Sequence, residues 1–354
     1  MILTVSTVKD KLSNVQRFVR GNLAGGVDHM ILFLDVPSPE VEAWLDTQPA
    51  VTYVVTDKSW WNGTRPQLLN KRQRVNANLA RSVLTLADWA DWIFHIDADE
   101  IAQIDRTALA KVPSGKNCVG LQPLEVVSKM TWEREPTLFK RLLSEPELHL
   151  LQALDVIAEP TNSLYFRSHI AGKVGIRPRL DLWLGIHKAV DRDDNRQRLV
   201  RDPGLRLLHF ESYSGDDFVR KWTAMVGSGP SIHFGPARMK IATAIKALLE
   251  MDLPTETTSR YLAEIYQQHM ADRVDVLADL GLLEEIDPLA GSHVPAQLAE
   301  RDRATLAGWL EALRAVDKRK FLPEIASPSE VEGILAAISG RSGAPGRRGL
   351  FRRS

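Results

Sequence analysis

The chain has 354 residues, 44% hydrophobic and 25% charged, an ordinary globular composition that excludes fibrous, disordered and membrane-embedded classes. Lysine plus arginine and aspartate plus glutamate both number 45, so net charge is zero and no global field argues for nucleic acid as a partner. Cys118 is the single cysteine, which excludes an internal disulfide and a cysteine-built zinc site and reads as a buried reduced thiol.

The opening "MILTVSTVKD" carries no basic segment ahead of a long apolar one. No stretch approaches the ~20 apolar residues of a membrane helix, so the expected location is the cytoplasm. "ILTVSTV" is rich in β-branched residues and predicts a first strand. Leu12, Val15, Phe18, Val19, Asn22 and Leu23 then recur at helical spacing until Gly25-Gly26 ends the helix. "HMILFLD" predicts a second strand, "PEVEAWL" a short helix and "VTYVVTD" a third strand. The loop "KSWWNGTRPQ" leads to a long helix from about Leu68 to Leu86, which feeds a fourth strand in "DWIFHIDADE". Apolar runs that barely alternate, each separated by a helix, predict a parallel sheet covered on both faces.

From Asn117 the pattern is mixed. "CVGLQPLEVVS", "SLYFRSHIAGKVGIRP" and "LRLLHFESYS" read as strands, while the stretch from Met130 to Pro160 resists assignment. After "SGDD" the chain reads as helical: "DFVRKWTAMV", "ARMKIATAIKALLEM", "TSRYLAEIYQQHMADRVDVLADLG" and "PAQLAERDRATLAGWLEALRAV". The expected organisation is a sheet domain over 1–214, a helical region over 215–338 and a disordered, basic tail over 339–354. Leu350 and Phe351 among the tail arginines suit a weak peripheral contact with an anionic membrane, although a solvated tail is the simpler reading.

The carboxyl ends of the four strands collect polar residues, and ligands of open parallel sheets sit outside such ends. They carry Ser6, Thr7, Lys9 and Asp10, then Asp35, then Asp57, then Asp97, Asp99 and Glu100. Three carboxylates within four residues repel one another and need a positive partner. A magnesium or manganese ion answers that need, because hard divalent cations take oxygen ligands and share them with a substrate diphosphate. A lone Asp-x-Asp is most often a solvated turn. Here the apolar strand, the third acid and the fourth place in an alternating pattern favour the metal.

Five segments, in order, resemble those of GT-A-fold glycosyltransferases of the family-2-like group: "VSTVKDKLSNVQRFVRGNLAGGVDHMILFLD", "RQRVNANLARSVLTLADWADWIFHIDADE", "HIAGKVGIRP", "GIHKA" and "LHFESYSGDDFVRKW". The resemblance spans roughly Ile2 to Trp222. It implies an α/β GT-A fold, with a Rossmann-like, mostly parallel sheet sandwiched by helices and here a C-terminal helical extension. It also implies a nucleotide-diphospho-sugar donor, Mn2+ or Mg2+, and inverting transfer to a glycan or glycolipid hydroxyl, as in cell-surface polysaccharide or glycolipid synthesis. Carried over by position, Asp97 and Asp99 match the metal and diphosphate motif, and His209 matches a late histidine at the metal or diphosphate. Thr7, Lys9 and Asp10 match the turn against the nucleotide, Asp35 an acid near the nucleoside, and Arg72 and Asn76 the helix facing the donor. Lys173 and His187 match further donor-side positions. Tyr213 departs from the pattern, standing where the family has a lysine.

An inverting transferase needs a carboxylate to take the acceptor's proton. Asp155, Glu159, Asp181 and Glu211 are candidates, and Asp181, between the Lys173 and His187 segments, is the choice. Two other classes stay open. A catalytically inactive glycan- or nucleotide-binding scaffold would account for Tyr213, and a nucleotidyltransferase would need a phosphate loop that "STVKDKLSN" lacks.

Overall fold

The computed structural model describes residues 1–63, 65–113, 115, 118–227 and 236–340. Its first part is the expected alternation: β1 (Ile2–Val8), α1 (Leu12–Ala24), β2 (His29–Leu34), α2 (Pro39–Leu45), β3 (Val51–Val55), α3 (Lys58–Trp61), α4 (Leu69–Leu84) and β4 (Trp92–His95). β1 pairs in parallel with β2 on one side and β4 on the other, and β3 extends the sheet beyond β2. Every residue of β1 is buried, which is why its apolar run does not alternate.

The chain continues through β5 (Glu100–Ile104), α5 (Arg106–Ala110), β6 (Cys118–Val126), β7 (Leu138–Lys140), α6 (Glu145–Ala153) and α7 (Asn162–Tyr165). Next come β8 (Lys173–Ile176), β9 (Trp183–Leu184), β10 (Ala189–Val190) and β11 (Leu205–His209). β8 lies antiparallel between β4 and β6, and β7 pairs antiparallel with β6. β11 runs parallel to β6 and antiparallel to β5. The result is a Rossmann-like GT-A arrangement, parallel at one end and mixed at the other. The strand expected over "SLYFRSHIAGKVGIRP" shrinks to β8, because its first part forms α7 and a loop.

The remaining elements are α8 (Gly215–Gly227), α9 (Pro236–Glu250), α10 (Thr255–His269), α11 (Val274–Asp279), β12 (Leu283–Glu285), α12 (Glu300–Ala312) and α13 (Pro328–Ile338). The long helix expected across Met270 is two helices, α10 and α11, with the break at 270–273. α8, α9 and α10 pack on one another around Trp222 and Tyr266. The later part returns to the sheet: β12 pairs with β7, and Leu306, Leu310, Leu313 and Phe321 are fully buried beside Val75, Leu79 and Val83 of α4. The helical region therefore shares the sheet's core rather than standing beside it. Residues 341–354, most of the basic tail, lie outside the described residues. Among the described residues, no helix is long and apolar enough to cross a membrane.

Two local features aim side chains at the end of β4. The register of β11 puts His209 opposite Glu100 of β5. Gly172 has φ +68°, and a Cβ there would lie 2.0 Å from the Leu121 carbonyl oxygen, so only glycine lets the chain turn this tightly into Lys173.

Candidate functional site

The three acids at the end of β4 do meet positive partners. Lys173, fully buried, donates to Asp97 Oδ2 at 2.6 Å and lies 3.6 Å from Glu100 Oε2. Gln73 of α4 donates to the other Asp97 oxygen at 2.6 Å, and the Asp97 N–H donates to Glu100 Oε2 at 2.6 Å. Lys221 of α8 bridges Asp99 Oδ2 at 2.7 Å and Glu211 Oε2 at 3.0 Å. His209 Nε2 is 3.7 Å from the same Asp99 oxygen, an ion-pair distance too long for a hydrogen bond. His169 Nε2 is 3.1 Å from Glu100 Oε1, and its ring stacks 4.9 Å from His209 and lies tilted 4.1 Å from His187.

Burial alone would push these carboxyl groups up and these cations down. The charges prevail instead. Against burial, Lys221 and His209 hold Asp99 well below the usual carboxylate range, and Lys173 does the same for Glu100. Burial would also lower His209, but Asp99, then Glu100 and Glu211, raise it to about 9. His187 moves the other way, to about 4, through burial and the neighbouring Lys173 and His169.

Among the described residues, two donor sets are compact enough for an ion, with ligand atoms within 4.8 Å of one another: Asp99, His209 and Glu211, and Glu100, His169 and His209. His209 belongs to both, and the Nδ1 atoms of His169 and His209 are buried without a hydrogen-bond partner. Asp97 belongs to neither set; Lys173 and Gln73 hold its carboxylate.

A buried network holds the loop that carries His169. Glu125 on β6 accepts the N–H groups of Arg167 and Ser168, each at 2.8 Å, and pairs with Lys140 at 2.8 Å. Lys140 in turn meets Asp272 at 3.0 Å.

The other expected residues divide by place. Lys173, His187, Asp97, Asp99 and His209 come together. Asn76 donates to Thr7 at 2.9 Å behind the strand edge, and its own Oδ1 is buried without a hydrogen-bond partner. Asp35 is gripped by Arg72 through two bonds of 2.8 and 2.9 Å and by Arg65 at 3.0 Å, so it anchors two arginines. Asp10 pairs with Arg220 at 3.0 Å, and with Lys9 and Ser38 it lines a cleft of about 330 Å³ at the ends of β1 and β2. Asp181 is not brought to the acids. It pairs with Arg192 in a separate cavity against α13.

Sequence reasoning missed His169, Gln73 and Lys221. His169 stands four residues before Lys173 in a quoted segment, a signal that was present; Lys221 looks like any helix-surface lysine until α8 is placed. Tyr213, where the resemblance puts a lysine, packs its ring against Arg17 at 4.6 Å.

No protein-family model matches the chain, and no curated protein matches it. Among solved structures, HddC from Yersinia pseudotuberculosis aligns over 62% of this chain and 97% of its own, at 10% identity and a TM-score of 0.31. The galactosyltransferase LgtC, in complex with donor and acceptor sugar analogs, aligns over 50% of this chain and 58% of its own, at 12% identity and a TM-score of 0.25. The glycosyltransferase GlyE of Streptococcus pneumoniae aligns over 92% of this chain and 63% of its own, at 10% identity and a TM-score of 0.23. Likenesses this loose carry no argument about activity, which must rest on the chain's own residues.

Proposed function

We propose that the protein transfers a sugar from a nucleotide-diphospho-sugar to a hydroxyl of a glycan or glycolipid acceptor, with inversion. One observation carries this reading. Asp97, Asp99, Glu100 and Glu211 meet Lys173, Lys221 and His209 at the carboxyl end of β4, where sheets of this kind take their ligands. Their formal charges leave one negative charge over, four carboxylates against three cations.

The residues fit a divalent ion. Asp99 and Glu211 supply carboxylate oxygens in one place, His209 would add a ring nitrogen on giving up its proton to the solvent, and the Lys221 ammonium between the two carboxylates marks that place as one for a cation. Bound there, Mn2+ or Mg2+ would supply Lewis-acid neutralisation of the charge that builds on the leaving diphosphate. Lys221 would then meet a phosphate oxygen of the donor in place of the two carboxylates. Lys173, fully buried, orients Asp97 rather than touching the donor. Arg65, 44% exposed and held by Asp35, and the exposed Lys9 offer the nucleotide side of the site, with Thr7 and the buried Asn76 bonded behind it. Of the four candidate bases, Asp155 and Glu159 are exposed, Asp181 lies in the other cavity, and Glu211 alone stands among the acids.

A second reading, a binding scaffold without turnover, is favoured by Lys221 already neutralising two carboxylates with no metal needed. Calorimetry with UDP and GDP, with and without Mn2+, together with turnover of a nucleotide-sugar panel, separates the two. The transferase reading expects metal-dependent binding and turnover that falls at least about 100-fold in Asp99→Asn with the fold intact. Binding indifferent to metal, with no turnover of any donor, would establish the scaffold.

A further inference from the structure

Well apart from the acids, a cavity of about 170 Å³ opens between the C-terminal half of α4, the turn ahead of β9 and the face of α13. Arg81, Ser82, Arg179, Asp181, Arg192 and Glu332 contribute to its wall. Arg81 is only 7% exposed, yet its guanidinium makes no hydrogen bond or ion pair with any described residue. Its Nε and the neighbouring Ser82 Oγ are both buried without a partner. What it does touch is apolar: the guanidinium lies over the Trp183 ring at 4.9 Å.

That is an unusual place to leave a cation. Arginine stays charged in proteins, and an unpaired charge taken out of water is costly. Burial draws Arg81 down to about 10, with Asp181 opposing and Arg192 adding to the pull. The nearby acids do not relieve it. Asp181 is paired with Arg192, and Glu332 lies on the exposed rim. Arg179 is turned toward the carbonyls of Ala87 and Ala90 and the Asp88 carboxylate. With Arg179 held by Asp88 and Arg192 by Asp181, Arg81 is left as the cation of this wall that no described carboxylate pairs.

We propose that this cavity binds a small oxyanion, the phosphoryl or carboxylate group of a metabolite, with the Arg81 guanidinium as its principal partner. The guanidinium fork matches two oxygens of either group. Ser82 Oγ adds a hydroxyl donor in the same wall, and Arg192 a second charge. The volume is several times the ~30 Å³ that one water occupies, so it admits such a group. The cavity shares α4 with the acid cluster but no residue: Gln73 and Arg81 stand eight positions apart, about 12 Å along the helix.

The test follows the Arg81 Nε–H signal by NMR in the intact protein, assigned through bonds and checked by its absence in R81K. Inorganic phosphate and acetate are the probes, with chloride at matched ionic strength as the control. The expected result is a saturable shift with phosphate, acetate or both, which names the group, and none with chloride. A signal that fails to move, or moves equally with chloride, overturns the proposal. Phosphate can also reach the lysines of the acid cluster, so the titration is repeated in K221Q. An unchanged Arg81 shift there supports a separate site, and its loss refutes one.

Discussion

His209 keeps its proton at neutral pH because Asp99, Glu100 and Glu211 face it from three directions. Its folded-state value of about 9 lies above the usual 6.5, so its contribution is complete below pH 6.5 and is lost as pH rises toward 9. Lys318, lowered to about 8 by burial, acts in the opposite sense above that pH, and His29 and His187, held near 4 by burial, act in the opposite sense around pH 6.5, so the His209 contribution is read between pH 6.5 and 8 as a difference between two proteins that share those groups. Chemical denaturation across that window should show the stability difference between wild type and His209→Asn shrinking by about 1.5 kcal/mol, near 1 kcal/mol per pH unit. At this scale the sequence disclosed the acids, because three carboxylates ending an apolar strand are conspicuous without any partner in view. Which cation meets which acid was hidden. Lys173 and Lys221 lie 76 and 122 positions from the acids they meet, and only the fold makes those distances short.

β11 is the element that assembles the site, since it slots between β5 and β6 and delivers His209 and then Glu211. The Glu125–Lys140–Asp272 network beside it is wholly buried and holds the His169 loop by its backbone. Glu125→Ala should cost about 3 kcal/mol of unfolding free energy, read in urea, because Lys140 and two N–H groups lose a buried partner. Strands β1 to β4 were legible because each is a short stretch rich in apolar, β-branched or aromatic residues set between helices. β7 and β12 were not, since three residues hold too little pattern to distinguish a strand from a loop. The break at Met270 escaped notice because no glycine or proline marks it.

For the whole molecule, the governing contact is the return of α12 and α13 onto α4 and β3. The sequence showed amphipathic helices after residue 214, but periodicity states that a face is apolar and not which surface covers it. The expected boundary at 214 therefore divides a chain whose two sides share one core. Phe321→Ala, at 0% exposure in that core, should destabilise the entire fold by about 3–5 kcal/mol in a single cooperative transition. Loss of the C-terminal signals alone, with the sheet unperturbed, would show that the halves unfold separately. The same return sets an order in time. During synthesis the outer face of α4 emerges from the ribosome about 240 residues before α13 can cover it. At bacterial or eukaryotic elongation rates that is on the order of ten seconds or more with an apolar surface waiting, long enough for a chaperone to be its first partner.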